Sequence, residues 1–347
     1  MKSSYTLKGK LLKSKSQTLI TGVYRSGTEY ITHLINCHQE ISATMYQVNI
    51  MRFAFKKGKN IHIEKIYKKI LLDLKKRLNL RYKIKLDIKK ICNHIKTKNI
   101  KVTYGKLYDL VMSHLYLRDF KKHWAEKNQL LWREIPDFIK IMPNGKAIII
   151  IRDPRSILAS FKKYTYAKKP LYLEAIFNCY DLFNFIKKNK KLIKNKKLYI
   201  LKFENVLLNP KLEINKVFKF LNLKKIDNIK LNSNQLDAYG KKWKNNSSFE
   251  KNKNPYKFNK KLSLHRWKTS LNNAEILLTE MVCSDYMKYF KYKFKYSKIY
   301  KNILNDSLKL FINSDEIKKY LKFFLMEGKG IQKFPTNPLE QKNWSKD

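Results

Sequence analysis

The feature that most constrains this chain is a strand, a glycine turn and a helix within residues 17–38. The apolar and β-branched residues 18–21 predict a short buried strand, and apolar residues at helical spacing follow the turn. Gly22 and Gly27 let the backbone fold tightly, so that successive N–H groups and the helix N-terminus can converge on one anion. An ordinary strand-to-helix connection could have the same pattern. The stretch predicts a phosphate-binding loop after the first strand of an α/β fold.

The side chains inside this turn decide which phosphate chemistry it favours. A Walker A loop has the pattern GxxxxGK followed by Ser or Thr, in which Lys reaches the outer phosphates and the hydroxyl holds Mg²⁺. Gly22 and Gly27 keep this spacing, but Thr28 and Glu29 stand in place of the Lys and the hydroxyl residue. The cation lies earlier in the turn, as Arg25. A P-loop kinase or nucleotidase is therefore disfavoured and stays as an alternative.

The nonapeptide GVYRSGTEY at residues 22–30 resembles the 5′-phosphosulfate loop of sulfotransferases that use 3′-phosphoadenosine 5′-phosphosulfate (PAPS). The resemblance implies a loop that binds PAPS through Arg25, Ser26, Gly27, Thr28, Glu29 and Tyr30. It also implies that Arg25 acts as an electrophilic clamp on the transferred group. Family loops commonly continue with Thr or Ser where this chain has Glu29, so one hydroxyl donor is missing.

A second phosphate motif follows the β-branched run at residues 147–151. That run predicts a strand buried on both faces of a parallel sheet, ended by Pro154 and followed by a helix over residues 156–164. A cation at the end of a strand and a hydroxyl eight residues later can hold one phosphate between them. Arg152 and Ser160 have this spacing and resemble the family's 3′-phosphate motif. The two motifs together imply a parallel α/β fold and PAPS as the co-substrate, with no metal.

Two later segments resemble family elements around the adenosine. Residues 197–210 predict a strand leaving into a turn, with Phe203 where the family usually has Tyr, and with Glu204 in a structural role. The resemblance implies that Phe203 stacks near the adenine, although an ordinary core Phe would give the same pattern. It also implies that a late loop covers the 3′-phosphoadenosine, through Arg266, Trp267, Ser247 and Ser248.

An acceptor hydroxyl needs a proton acceptor, and the resemblance implies two places for it. The usual Glu after the second strand is replaced in residues 41–53 by Met45 and Tyr46. The other family position lies two residues before a proline that follows a strand, and here it is Glu134. We expect the preceding strand at Leu130–Trp132 and Glu134 as the catalytic base. The alternative is that Glu134 only pairs with a neighbouring Lys.

Length and composition favour one elaborated domain of 347 residues. With 44% hydrophobic residues the chain can bury a sizeable core, which argues against a disordered polyanion binder. We expect a core over residues 17–296, a helical insertion over 55–124, and a helical extension with a tail over 297–347. The acceptor is expected to be a saccharide or another metabolite.

The formal net charge of +49 comes almost wholly from Lys, since only nine of the 76 basic residues are Arg. Solvated surface lysines explain this charge, while a non-catalytic nucleic-acid-binding protein stays as an alternative. The aromatic and basic run MKYFKYKFKY at residues 287–296 could form a surface for single-stranded nucleic acid or a terminal amphipathic strand or helix. Four scattered cysteines, no apparent signal peptide and no run of ~20 apolar residues favour a cytoplasmic protein without a membrane span.

Overall fold

A parallel five-stranded sheet forms the centre of the protein. The structure is a computed structural model that describes residues 13–55, 62–117, 121–164, 171–229, 260–296 and 301–313, and the isolated positions 315, 318, 322, 326 and 339. The strands are β1 Ser16–Gly22, β2 Ile41–Met45, β3 His123–Lys127, β4 Lys146–Ile151 and β5 Leu198–Lys202. Their order is β2-β3-β1-β4-β5, and all neighbours pair in parallel. The loops that leave β1 and its neighbours therefore meet at one edge, where ligands bind in open α/β sheets.

Helices connect the strands and cover both faces of the sheet. In the first half of the chain they are α1 Thr28–Ile35, α2 Ile63–Tyr82, α3 Ile88–Thr97, α4 Tyr104–Tyr116, α5 Ile135–Ile141 and α6 Pro154–Tyr164. In the second half they are α7 Glu174–Lys188, α8 Lys190–Lys194, α9 Phe203–Leu208, α10 Pro210–Phe220, α11 Lys260–His265, α12 Trp267–Ser270, α13 Asn273–Val282, α14 Ser284–Tyr289 and α15 Lys301–Ile312. Shorter turns are π-helical at Met51–Phe55 and 3₁₀ at Trp132–Glu134 and Leu171–Leu173.

The hydrophobic core has two parts, one on each face of the sheet, and alternate side chains of β4 point into each of them. Ile148 and Ile150 pack with α1, α9 and α10 on one face, while Ile149 and Ile151 pack into the larger cluster on the other face. All four side chains are at most 2% exposed, as expected for a parallel strand covered on both faces. The predicted parallel α/β fold is confirmed. Within the described residues, no helix is both long and apolar enough to cross a membrane.

The predicted strands at 18–21 and 147–151 are confirmed, but the strand expected at Leu130–Trp132 is wrong. The chain there forms a tight turn that enters the 3₁₀ turn Trp132–Glu134, and the third strand is His123–Lys127 instead. The helical insertion expected over 55–124 contains α2, α3 and α4, and its last two residues belong to β3. The strand was missed because its sequence, HWAEK, has two charged residues that are buried in the fold.

The strand predicted in 197–210 is present as β5, but it leads into helix α9 rather than a turn. The helix begins directly at Phe203, so that Phe203 and Glu204 lie in its first turn, at the carboxyl edge of the sheet.

Candidate functional site

The turn after β1 has the backbone of an anion-binding loop. Arg25 and Gly27 both have left-handed φ angles, of 63° and 88°. Between them, the Ser26 N–H and hydroxyl donate to the Val23 carbonyl at 3.2 and 2.7 Å. A Cβ on Gly27 would lie 2.2 Å from ring carbons of Phe203, so no larger residue fits here without a shift of the ring. This close turn places the N-terminus of α1 at the carboxyl edge of β1.

The two predicted phosphate motifs meet in this loop. Arg25 Nε donates to Ser160 Oγ at 3.0 Å, and Arg152 Nη1 donates to the Arg25 carbonyl at 2.7 Å. Arg152 Nη2 also donates to the Ser263 carbonyl at 2.5 Å. Residues separated by more than 110 positions in the chain are therefore in direct contact, at the sheet edge predicted from the sequence.

Arg152 is the buried cation of this contact, with 8% of its surface exposed. Burial lowers the pKa of Arg152 to about 10, and the nearby Glu204 carboxylate opposes that shift. Its Nε is buried and has no hydrogen-bond partner among the described residues. A buried guanidinium donor without an acceptor is costly, so this site fits an anionic ligand that would accept from it.

An aromatic pair lies beside the loop. The Tyr30 and Phe203 rings meet edge to face at 6.2 Å, and the Arg152 guanidinium lies 4.7 Å from the centre of the Phe203 ring. Burial raises the pKa of Tyr30 to about 12. Glu204 accepts from the Asp153 N–H at 2.8 Å and from the Tyr292 hydroxyl at 2.9 Å, so it braces the turn after β4.

Of the residues predicted to cover the nucleotide, Arg266 and Trp267 lie near the turn that follows β4. Trp267 packs against the Arg155 guanidinium at 3.9 Å, and Arg155 forms ion pairs with Asp153 at 2.7 Å and Glu280 at 2.6 Å. Trp267 therefore supports the turn that follows Arg152. Arg266 is half-buried at the start of α12. Burial is the main cause of the lowered pKa of Arg152, and the positive charge of Arg266 adds to it.

Ser247 and Ser248 lie outside the described residues. Thr28 and Glu29 begin helix α1, with Thr28 buried beside the loop.

Lys127 is a buried cation of the site that the sequence reasoning missed. It is the last residue of β3, it pairs with Ile20 of β1 and Met45 of β2, and it is 1% exposed. Its Nζ lies 4.6 Å from the centre of the Tyr46 ring. A charged residue at the carboxyl end of a strand adjacent to β1 was the available signal, but it required the correct position of β3.

Burial lowers the pKa of Lys127 to about 8. Among its charged neighbours Glu29 has the largest influence and raises the pKa, while Arg25 and Arg52 lower it. Lys127 is thus an ammonium group at neutral pH, and it shares its surroundings with the phosphate-binding loop.

Glu134 is buried at 8% exposure, at the start of α5 rather than at a strand end. It lies close enough to Arg52 to influence that residue: burial lowers the pKa of Arg52 to about 10, and the Glu134 carboxylate opposes the shift. Arg52 Nη2 donates to the Gln129 carbonyl at 2.6 Å, which ties the π-helical turn to the loop after β3. The neighbouring Arg133 forms an ion pair with Asp181 at 2.7 Å.

The insertion holds the loop after β2 against this cluster. The buried Glu126 carboxylate accepts from the N–H groups of Val48 and Asn49 at 2.8 and 2.9 Å, and from the Tyr108 hydroxyl of α4. Arg77 of α2 donates to the Tyr46 carbonyl at 3.3 Å. Helices α2 and α4 therefore fix the chain that carries the Tyr46 ring over Lys127.

The assembled site contains three cations and two carboxylates around the ends of β1 and β3: Arg25, Arg52, Lys127, Glu29 and Glu134. Such a site can bind an anion, stabilise developing negative charge and accept a proton. In the described part of the chain, no group of three or more His, Cys, Asp or Glu side chains could hold a metal ion.

Comparison with known proteins gives a family and a fold. The model of the sulfotransferase family matches residues 18–227, more than half of the chain. The sulfotransferase domain of the Synechococcus PCC 7002 olefin synthase has 14% sequence identity and a TM-score of 0.52, over 81% of this chain and 97% of that domain. No curated protein matches the chain.

Two other solved structures are similar at lower TM-scores. The sulfotransferase domain of the curacin biosynthetic pathway has 13% identity and a TM-score of 0.49, over 80% of this chain and 98% of that one. A mouse sulfotransferase complexed with PAP has 11% identity and a TM-score of 0.40, over 85% and 91% of the two chains.

Proposed function

The chain belongs to the sulfotransferase family, and on that premise we propose that it transfers the sulfuryl group of PAPS to a hydroxyl of a saccharide or another metabolite. The observation that carries this proposal is the contact of Arg25 with both Ser160 and Arg152. It joins a phosphate-binding loop to a second anion site at the same sheet edge. A nucleotide with phosphates at both its 5′ and 3′ positions matches two adjacent anion sites.

In this proposal each of the two sites binds a different phosphate of the nucleotide. The N–H groups of residues 25 and 27–29 and the Arg25 side chain would hold the 5′-phosphosulfate at the N-terminus of α1, while the Ser26 N–H donates to the Val23 carbonyl. Arg152 and Ser160 would hold the 3′-phosphate, in place of the carbonyl contacts that Arg152 now makes. Phe203 and Tyr30 would contact the base, with Arg266, Trp267, Ser247 and Ser248 as further candidates for covering the nucleotide.

The chemistry of the transfer depends on the charges around β3. Bound PAPS would supply the sulfuryl group, and the chain supplies the groups that stabilise its oxygens. Arg25 and Lys127 are the cations at the phosphate-binding loop, and a preorganised cation in a water-poor site is a strong stabiliser of developing negative charge. Glu134, buried on the acceptor side near Arg52, would take the proton of the attacking hydroxyl.

The acceptor side favours a polar molecule. The polar groups proposed for this side are the buried Arg52 and Glu134 and the half-buried Arg133, which is paired with Asp181. They can exchange hydrogen bonds with several hydroxyls. A small hydrophobic phenol has a single hydroxyl, so it would match fewer of these polar groups than a saccharide.

Replacing Arg152 by Ala should weaken binding of 3′-phosphoadenosine 5′-phosphate by about 1.5 to 3 kcal/mol, or about 10- to 150-fold, because a charge-assisted hydrogen bond is lost. Binding of AMP should change little, since AMP has no 3′-phosphate. Isothermal calorimetry with both nucleotides measures this, with the exposed Lys69→Ala of α2 as a control. Equal losses for the two nucleotides would contradict the assignment of Arg152.

The proposed activity is tested by incubating the protein with ³⁵S-labelled PAPS and a panel of acceptors. The panel contains neutral saccharides, polyhydroxylated metabolites and simple phenols, each analysed for covalently bound label. We expect label in the hydroxyl-rich compounds. Label confined to a hydrophobic phenol would support the proposed sulfuryl transfer but contradict the proposed acceptor class. No transfer to any compound would contradict the proposed function itself.

A further inference from the structure

Tyr286 holds the backbone of Arg152, the cation assigned above to the 3′-phosphate. Its hydroxyl donates to the Arg152 carbonyl at 2.8 Å and accepts from the Arg152 N–H at 3.2 Å. Tyr286 lies on α14, 134 positions later in the chain, and it is 1% exposed. Burial raises the pKa of this hydroxyl well above its usual value, so the group stays protonated and able to donate at neutral pH.

The strand pairing of β4 ends before Arg152. Its last paired residue is Ile150 on the β1 side and Ile151 on the β5 side. Arg152 therefore lies beyond the register of both neighbouring strands, at the carboxyl edge of the sheet. A buried peptide group needs hydrogen-bond partners, and here a hydroxyl from a helix outside the sheet bonds to both polar atoms of the Arg152 backbone.

A second tyrosine supports the next residue, Asp153. The Tyr292 hydroxyl donates to one Glu204 carboxylate oxygen at 2.9 Å, and the other oxygen accepts from the Asp153 N–H at 2.8 Å. The Tyr286 and Tyr292 rings are stacked, with their centres 6.1 Å apart and their planes within 8° of parallel. Tyr292 belongs to the aromatic and basic run at residues 287–296, and Tyr286 directly precedes it. The two tyrosines thus hold successive residues at the end of β4.

The backbone anchor matters because of what a bound phosphate would displace. The far end of the Arg152 side chain is now held by the carbonyls of Arg25 and Ser263, at 2.7 and 2.5 Å. In the proposed complex the 3′-phosphate takes the place of these two carbonyls. The Tyr286 contacts lie at the other end of the residue, so they can remain when the ligand binds.

We propose that Tyr286 and Tyr292 are positioning residues for the 3′-phosphate, since their hydroxyls fix the turn that carries Arg152 and preorganise its guanidinium. This inference rests on the function proposed above. A guanidinium on a fixed backbone loses less freedom when it binds, and this advantage applies only to a ligand with a 3′-phosphate. The hydroxyls therefore contribute to discrimination between nucleotides as well as to stability.

The test measures the affinities for 3′-phosphoadenosine 5′-phosphate and for AMP by calorimetry in Tyr286→Phe, Tyr292→Phe and Tyr289→Phe. Phe keeps each ring and removes only the hydroxyl. We expect Tyr286→Phe to weaken binding of the 3′-phosphorylated nucleotide about five- to tenfold and to leave AMP binding unchanged. Tyr292→Phe should cause a loss of the same kind of about two- to threefold, because it acts through Glu204. Tyr289, which is 51% exposed on α14, is the matched control and should change neither affinity.

A double-mutant cycle tests whether the hydroxyl acts through Arg152. In an Arg152→Ala background, Tyr286→Phe should cause no further loss of affinity for the 3′-phosphorylated nucleotide. A merely structural role would weaken both nucleotides equally, and that result or full additivity with Arg152→Ala would overturn the proposal. If Tyr286→Phe does not fold, the ratio of the two affinities in Tyr292→Phe decides.

The wild type separates this inference from the function on which it rests. Equal affinity of the wild type for the two nucleotides would contradict the proposed function and this inference together. A wild-type preference for the 3′-phosphorylated nucleotide that both tyrosine variants keep in full would contradict this inference alone.

Discussion

Replacing Lys127 by Met should lower kcat by about 10²- to 10³-fold if the proposed transfer occurs here, because a buried cation at the carboxyl end of β3 would stabilise the charge that develops in the transition state. Met has similar length and no charge. Since Lys127 is 1% exposed and its ammonium is costly to bury, the variant should fold at least as well as the wild type. Steady-state kinetics measures the rate, and urea unfolding measures the stability.

The matched control for this variant is Lys146→Met. Lys146 begins β4 at the opposite end of the sheet, where its Nζ donates to the Phe220 carbonyl and lies 5.0 Å from the Phe220 ring. We expect that variant to keep its kcat. If Lys127→Met keeps full activity, Lys127 is a packing residue and the electrostatic account of the site is wrong.

Replacing Glu134 by Gln should lower kcat about a hundredfold or more, because Gln keeps the shape of the side chain but cannot accept the proton of the attacking hydroxyl. Nucleotide affinity should remain nearly unchanged, since Glu134 lies near Arg52, on the side proposed for the acceptor. A parallel loss of affinity would indicate instead that Glu134 holds Arg52 in place.

Asp137→Asn is the control for this second variant, because Asp137 is an acid in the first turn of the same helix, α5. It should retain kcat within about twofold, as expected for a substitution without a catalytic role. Equal losses in both variants would show that the negative potential of this helix start matters, rather than a proton acceptor at position 134.

The sequence predicted the strands β1 and β4, because each has a local pattern that defines it. The strand before Gly22 and the strand before Arg152 have uninterrupted apolar runs, and each is followed by residues that end a strand. Parallel strands present their carboxyl ends at one edge, so Arg25, Arg152 and Ser160 could be expected to meet, and the structure brings them into hydrogen-bond contact. This expectation came from the spacing within each motif together with the resemblance to the family's two phosphate motifs.

The parts that were missed depend on contacts from distant segments. β3 contains Glu126 and Lys127, two charges that a local pattern assigns to the surface. Glu126 is buried because Val48, Asn49 and Tyr108 donate to it. Lys127 is buried between loops from β1 and β2, and its pKa falls as a result. No short window of sequence contains these partners, so the strand, and with it the cation, could not be placed.

The same limit applies to Glu134. The sequence indicated its position relative to Pro136, but the strand expected before it proved to be a 3₁₀ turn. Its proximity to Arg52 follows from a π-helical turn more than 70 residues earlier in the chain. Irregular helices of this kind occur often at functional sites and have no clear periodic signal.

The central claim is that the two anion sites at the sheet edge bind one nucleotide with phosphates at its 5′ and 3′ positions. Isothermal calorimetry of the wild-type chain with 3′-phosphoadenosine 5′-phosphate and with AMP, under identical salt, tests it most directly. We predict that the 3′-phosphorylated nucleotide binds about 10- to 100-fold more tightly, because only it reaches Arg152 and Ser160. Equal affinity for the two nucleotides would contradict the assignment of the site.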